Sequence, residues 1–224
     1  MVYILNIETA TTNCSVSLTL DGQTLLVKED YNDKYSHAER LHFYIDYVLQ
    51  QAGIKVLDLN AIAVSKGPGS YTGLRIGVST VKGLCYSLNI PLISVPTLES
   101  LAYQVKINDG VIIPMLDARR LEVYDAIFDS DYNQIRATQA ELLDKTSFRK
   151  YLNKTTVNFI GNGVAKTKNL VNHKNAIFID HKLPSSKEMG LLSFMKYKKN
   201  DFEDIAYFEP YYLKDFVATK PNKG

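Results

Sequence analysis

The sequence predicts an α/β protein of two duplicated domains, each a mixed sheet flanked by helices. Three observations predict it. Short apolar, β-branched runs that end in turn residues read as strands, and they alternate with stretches of helical period. The order of these runs begins again after Gly110. A shift of 109 residues carries Glu8, at the end of the first strand, onto Asp117, and carries the Asp21-Gly22 turn onto Ser130-Asp131.

Along the chain, "YILNIET" and "CSVSLTL" read as strands, and the Asp21-Gly22 turn leads into a third, "QTLLVKE". Ser36-His37-Ala38-Glu39 has capping-box spacing and opens a helix that runs to about Ala52, where Gly53 stops it. "AIAVS" is a short buried strand, a glycine run and a long helix follow it, and "PLISV" is the next strand before a short helix near Thr97. In the second half "VIIPMLD", "EVYDAIFD" and "IRATQAEL" repeat the meander, and "TVNFIGNG" and "AIFID" repeat the later strands. The junction "NFIGNG" matches "AVSKGPG" of the first half. Parallel strands joined by helices need cover on both faces. This is the arrangement of the actin-like (ribonuclease H-like) ATPase superfamily, with residues 1–105 as one domain, residues 106–224 as a second, partly degenerate one, and a cleft between them.

Composition excludes several classes. With 46% hydrophobic residues in 224, the chain buries a core without staples. A net charge of +2 does not mark a nucleic-acid binder, and the lysines of "KYKKN" and "KPNKG" read as solvated. Cys14 and Cys85 are far apart and have no metal-ligand spacing. The opening run is broken by Asn6 and Glu8, so it reads as a strand and not a signal peptide, and no stretch approaches the ~18 apolar residues of a membrane span. The expected compartment is the cytoplasm.

The run "KGPGSYTGLRIGVSTVKGLCYSL" has glycines both before and inside a helix. Its spacing is not that of a P-loop, although Ser70 can cap the helix. Tyr71, Leu74, Val78, Val81, Cys85 and Leu88 form one apolar stripe, and a second face gathers Gly73, Ile76, Gly77, Thr80 and Leu84. Each interior glycine costs about 1 kcal/mol relative to alanine, so close approach of another backbone is expected there. The preceding helix has Ala38, Leu41, Ile45, Val48, Leu49 and Ala52 on its core stripe, with Phe43, Tyr44 and Tyr47 in another sector. Two helices with second faces predict a docking surface for a partner helix.

Catalytic constellations are scarce. His37 and His42 lie five apart, about 140° around a helix, and so cannot share a metal. There is no Gly-x-Ser-x-Gly elbow. Asp117, Arg119, Arg120 and Glu122 concentrate at one turn, which reads as salt-bridged ahead of a nucleotide or partner site. Glu8 and Thr9 end the first strand, where actin-like enzymes face nucleotide phosphates, so ATP or ADP is the cofactor to look for in the cleft.

"IETATTNCSVSL", "HAERL", "GPGSYTGLRIGVSTVKGL", "PLISVPTLESLA" and "LDARRLEVY" together resemble the TsaB (YeaZ) family of the actin-like superfamily, as does "EPYYL" more loosely. The resemblance implies a role in making threonylcarbamoyladenosine in tRNA. The paralogue TsaD carries a metal and transfers the threonylcarbamoyl group, while TsaB pairs with TsaD and is joined by a small ATPase, TsaE. TsaD has a Val-x-His-x-x-x-His pattern after the fifth strand; here that segment is "VPTLESL", with Thr97 and Leu101 where the imidazoles would stand. The expectation is a subunit with no catalytic or metal residues of its own, a homodimer when alone, that reaches tRNA through the complex. The resemblance implies an interface through the first two helices, drawn from His37, Arg40, Leu41, Phe43, Tyr44, Tyr47, Gly73, Leu74, Ile76, Gly77, Thr80, Val81 and Leu84. The alternatives are a metallopeptidase or an ATP-dependent transferase acting alone, and a tRNA-binding module using the C-terminal lysines.

Overall fold

The structure, a computed structural model, describes residues 1–31 and 37–214. Ser36 of the expected capping box and the lysines of the final "KPNKG" lie outside the described residues.

The first sheet begins with the predicted meander: β1 (Tyr3–Glu8), β2 (Asn13–Leu20) and β3 (Gln23–Tyr31) pair antiparallel. Asp21 and Gly22 turn between β2 and β3 with φ of 49° and 85°, the left-handed geometry that a two-residue hairpin requires. After α1 (His37–Ala52), β4 (Ala61–Ser65) pairs parallel to β1, and after α2 (Tyr71–Leu88), β5 (Leu92–Val95) pairs parallel to β4. The strand order is β3-β2-β1-β4-β5. Crossover connections place α1 and α2 on one face, over Leu5, Ile7, Val16, Leu18, Ile62 and Val64.

A short helix, α3 (Thr97–Ala102), leads to the second sheet. There β6 (Val111–Asp117), β7 (Glu122–Phe128) and β8 (Gln134–Leu142) form the meander; α4 (Arg149–Leu152), β9 (Val157–Ile160), α5 (Val164–Leu170) and β10 (Ala176–Ile179) complete it. The order β10-β9-β6-β7-β8, with β9 parallel to β6 and β10 parallel to β9, repeats the first sheet strand for strand. The duplication seen at a shift of 109 residues is therefore architectural. α3 covers one face of this sheet through Leu98, Leu101 and Ala102 against Ile112, Leu116 and Ala126.

One long element is absent from the sequence reading. α6 (Ser186–Lys198) crosses back and covers the other face of the first sheet, where Met189 and Leu192 meet Ile4, Ala61, Ala63, Ile93 and Val95. Its inward face is otherwise small and polar, which is why no apolar stripe announced it. Ser193 donates to Asn6 Oδ1 at 2.6 Å, Ser17 donates to the Ser186 carbonyl at 2.8 Å, and a Cβ on Gly190 would stand 2.6 Å from Thr19 Cγ2. The helix lies tight on the sheet because serine and glycine let it, and each buried hydroxyl has a partner. The boundary at 105/106 separates the two sheets, yet the chain returns to the first domain after the second is complete.

Candidate functional site

Two surfaces converge on α2. The first is the interdomain cleft, about 910 Å³, into which the β1–β2 turn, the start of α2 and the β6–β7 turn point Thr11, Ser70, Arg119 and Arg120. Ser70 caps α2 by accepting from the Gly73 N–H at 3.3 Å, and its own N–H donates to the Ala10 carbonyl at 2.7 Å. Arg119 and Arg120 both sit in the left-handed region, with φ of 69° and 47°, which costs non-glycine residues energy and needs surrounding support. Lys166 of α5 supplies it. Its ammonium donates to Asp117 Oδ1 at 2.8 Å, to the Arg120 carbonyl at 2.7 Å and to the Glu122 carbonyl at 3.1 Å. The carboxylates of the charged turn are thus ion-paired, though with Lys166 and Lys214 from outside the cluster, and the turn presents two arginines to the cleft.

Glu8 and Thr9 do not line that cleft. Both are fully buried. Glu8 Oε1 accepts from the Ala10 N–H at 2.6 Å and the Ser65 hydroxyl at 2.8 Å, and burial pushes its carboxyl up to about 7. The residues of this turn that reach the cleft are Ala10 and Thr11. A buried carboxyl that bonds its own loop does not fit the role of meeting nucleotide phosphates.

Thr9 also explains the glycines. A Cβ on Gly69 would overlap Ala10, one on Gly73 would overlap the Thr9 carbonyl oxygen, and one on Gly77 would overlap the Thr9 hydroxyl. Gly73 and Gly77 lie four apart on one face of α2, Gly69 stands just ahead of its N-cap, and the β1–β2 turn lies in the groove the three leave. The expected close approach is real, but the approaching backbone belongs to the same chain.

The second surface is the outer face of α1 and α2. Of the residues expected there, Leu41, Leu74 and Val81 are wholly inside this chain's core. Gly73 and Gly77 are buried against Thr9. His37 is buried with Nε2 2.7 Å from the Thr11 carbonyl, and Tyr44 is 5% exposed with its hydroxyl donating to Asp30 at 3.2 Å. The three aromatics of α1 therefore divide. Phe43 and Tyr47 point outward, 61% and 37% exposed, while Tyr44 turns inward. Arg40, half-buried, pairs with Asp30, and Ile76, Thr80 and Leu84 are half-buried along the flank of α2. Tyr86 is 81% exposed, and the Cα of Gly83 faces open space, so the outer face of α2 runs through residues absent from the expected set. The amphipathic pattern gives their sector, but glycine and a single tyrosine carry little signal alone.

Thr97 at the start of α3 and Leu101 near its end are both buried. Thr97 Oγ1 accepts from the Gly67 N–H at 3.1 Å, so its oxygen is spent on the loop before α2, and Leu101 has no donor atom. These positions do not fit a metal. Among the described residues no group of three or more His, Cys, Asp or Glu could hold one, and no helix is long and apolar enough to cross a membrane.

Two sheets of one topology around a shared cleft define a two-domain protein of the actin-like, ribonuclease H-like class. A family model described as "TsaD: tRNA N6-adenosine threonylcarbamoyltransferase" matches residues 32–221. The Escherichia coli (strain K12) tRNA threonylcarbamoyladenosine biosynthesis protein TsaB is 30% identical over 230 residues, 99% of this chain and 98% of that one. The Bacillus subtilis (strain 168) protein of the same name is 38% identical over 125 residues, 56% of this chain and 54% of that one. A solved structure of YeaZ from Pseudomonas aeruginosa has the same fold, with a TM-score of 0.83 at 24% identity over 95% of this chain and 100% of that one. The chain belongs to the TsaB (YeaZ) family, related to the transferase TsaD.

Proposed function

We propose that the chain is a non-catalytic subunit of the machinery that makes threonylcarbamoyladenosine in tRNA, and that it activates a TsaD-type transferase by docking through the outer faces of α1 and α2. The observation that carries the reading is the state of Thr97 and Leu101. Where the resemblance puts two imidazoles, this chain has a hydroxyl committed to Gly67 and a hydrocarbon. A chain that cannot hold the metal there contributes by binding. Phe43, Tyr47 and Tyr86 supply exposed aromatic area of the kind that anchors interfaces. A TsaE-type ATPase joins the pair, tRNA is contacted through the complex, the isolated chain pairs with itself, and the compartment is the cytoplasm.

Reconstitution of tRNA modification tests this. With tRNA, ATP and threonylcarbamoyl-adenylate as the group donor supplied, product should form when the chain is combined with a TsaD-type transferase and a TsaE-type ATPase, and should fail when the chain alone is omitted. Product formed without it, or by it alone, would overturn the reading.

A further inference from the structure

After α6 the chain does not trail away. It rounds the edge of the first sheet: the Glu203 N–H donates to the Leu92 carbonyl at 2.9 Å in an antiparallel bridge, and Ser94 donates to Glu203 Oε1 at 2.5 Å. It then crosses onto the α2 side. Phe208 enters the core under α2, and Lys82 on that helix donates to the Ala206 and Phe208 carbonyls at 3.0 and 3.1 Å. The Tyr211 N–H donates to the Lys66 carbonyl at 2.7 Å. Arg75, one helical heptad before Lys82, lies over the Tyr71 ring at 4.0 Å and donates to the Tyr212 hydroxyl at 3.2 Å. Finally Lys214 pairs with Glu122 on β7 of the second domain, and residues 211–214 form one wall of the interdomain cleft.

We infer that residues 203–214 are a clasp that sets the opening of the interdomain cleft, anchored permanently on the first domain and releasably on the second. The two ends differ in strength for a physical reason. The near end is fixed by a buried phenylalanine together with several hydrogen bonds to β5, α2 and the loop before α2, so it is released only if all of them break together. The far end is the Lys214–Glu122 ion pair, whose side chains are 36% and 33% exposed, with the Lys214 ammonium 6.0 Å from the centre of the Tyr124 ring; such exposed charged contacts are weak and are weakened further by salt. Because Arg75 and Lys82 hold the clasp from the outer side of α2, whatever covers that helix also covers the clasp. The clasp itself does not depend on the identity of any partner.

Charge exchange tests it. Leu57 and Ala140 are exposed on the first and second domains, and paired labels on Leu57→Cys and Ala140→Cys report the distance between them. The native Cys14 and Cys85 are buried, with thiols pushed up to about 12, and do not compete for label. Glu122→Lys should widen the distance distribution and raise chymotryptic cleavage after Tyr212 about three- to tenfold, and moderate salt should do the same to the parent protein. Glu122→Lys combined with Lys214→Glu should restore both readings, while the Tyr211 amide stays protected throughout. A distribution and cleavage rate unchanged by Glu122→Lys, or a double exchange that rescues neither, would overturn the inference.

Discussion

Thr9 lies in a notch that Gly77 leaves in α2: a Cβ at that position would overlap the Thr9 hydroxyl and meet its Cβ and Cγ2 at 3.4 Å. The contact seats the β1–β2 turn on the helix and so places Ala10 and Thr11 on the cleft. Gly77→Ala should destabilise the monomer by about 1–3 kcal/mol, the range for overpacking a closed site. Gly83, six residues on, faces open space, so Gly83→Ala should be neutral or stabilise by up to about 1 kcal/mol through helix propensity. Urea unfolding of the two variants separates these outcomes. Equal effects would show that the notch is not what Gly77 is for.

Glu8 makes stability depend on pH in a set direction. Its folded value of about 7 lies above the ordinary 4.5, so the folded state favours the neutral acid. Its contribution is fully present below about 4.5, is lost as pH rises through 7, and amounts to about 3 kcal/mol across that window. Buried His37 works oppositely: burial lowers its value from 6.5, so its contribution is present above 6.5 and lost on acidification. The two slopes partly offset in the parent protein. The stability difference between the parent and Glu8→Gln, measured by denaturation at pH 5 and pH 8, isolates the first and should shift in favour of the variant at pH 8.

Partner binding should follow exposure and not hydrophobicity. Phe43→Glu or Tyr47→Glu should weaken pairing with a TsaD-type partner by roughly 2 kcal/mol or more while leaving unfolding within about 0.5 kcal/mol of the parent. Leu41→Ala, inside the core of the same helix, should cost about 2–5 kcal/mol of stability. Calorimetric titration beside thermal melts distinguishes the classes. Undiminished pairing by Phe43→Glu would remove α1 from the docking surface.

A fragment of residues 1–105 should not fold alone. It lacks α6, so Ile4, Ala61, Ala63, Ile93 and Val95 would form a bare apolar face. Circular dichroism and gel filtration of the fragment, with and without a peptide spanning residues 184–214, should show aggregation in the first case and a compact species in the second. A soluble, cooperatively folded fragment would restore the division at residue 105.

The order of the strands and of α1 to α3, the duplication, the hairpin at Asp21-Gly22 and the core stripe of α2 were all determined by the sequence alone. Each depends on local period or turn chemistry, which a few neighbouring residues carry. Only the tertiary structure decided what the second faces meet. The helical wheel puts Gly73 and Gly77 in one sector but cannot say whether a partner or the chain's own β1–β2 turn fills it, because the approaching atoms come from more than sixty residues earlier. It likewise groups Tyr44 with Phe43 and Tyr47, although Tyr44 is drawn inward by Asp30 on β3. α6 and the clasp were beyond reach for the same reason: apart from Met189, Leu192 and Phe208 their inward sides are mostly serine, glycine and backbone, and such groups reveal their partners only when the sheet that satisfies them is in place.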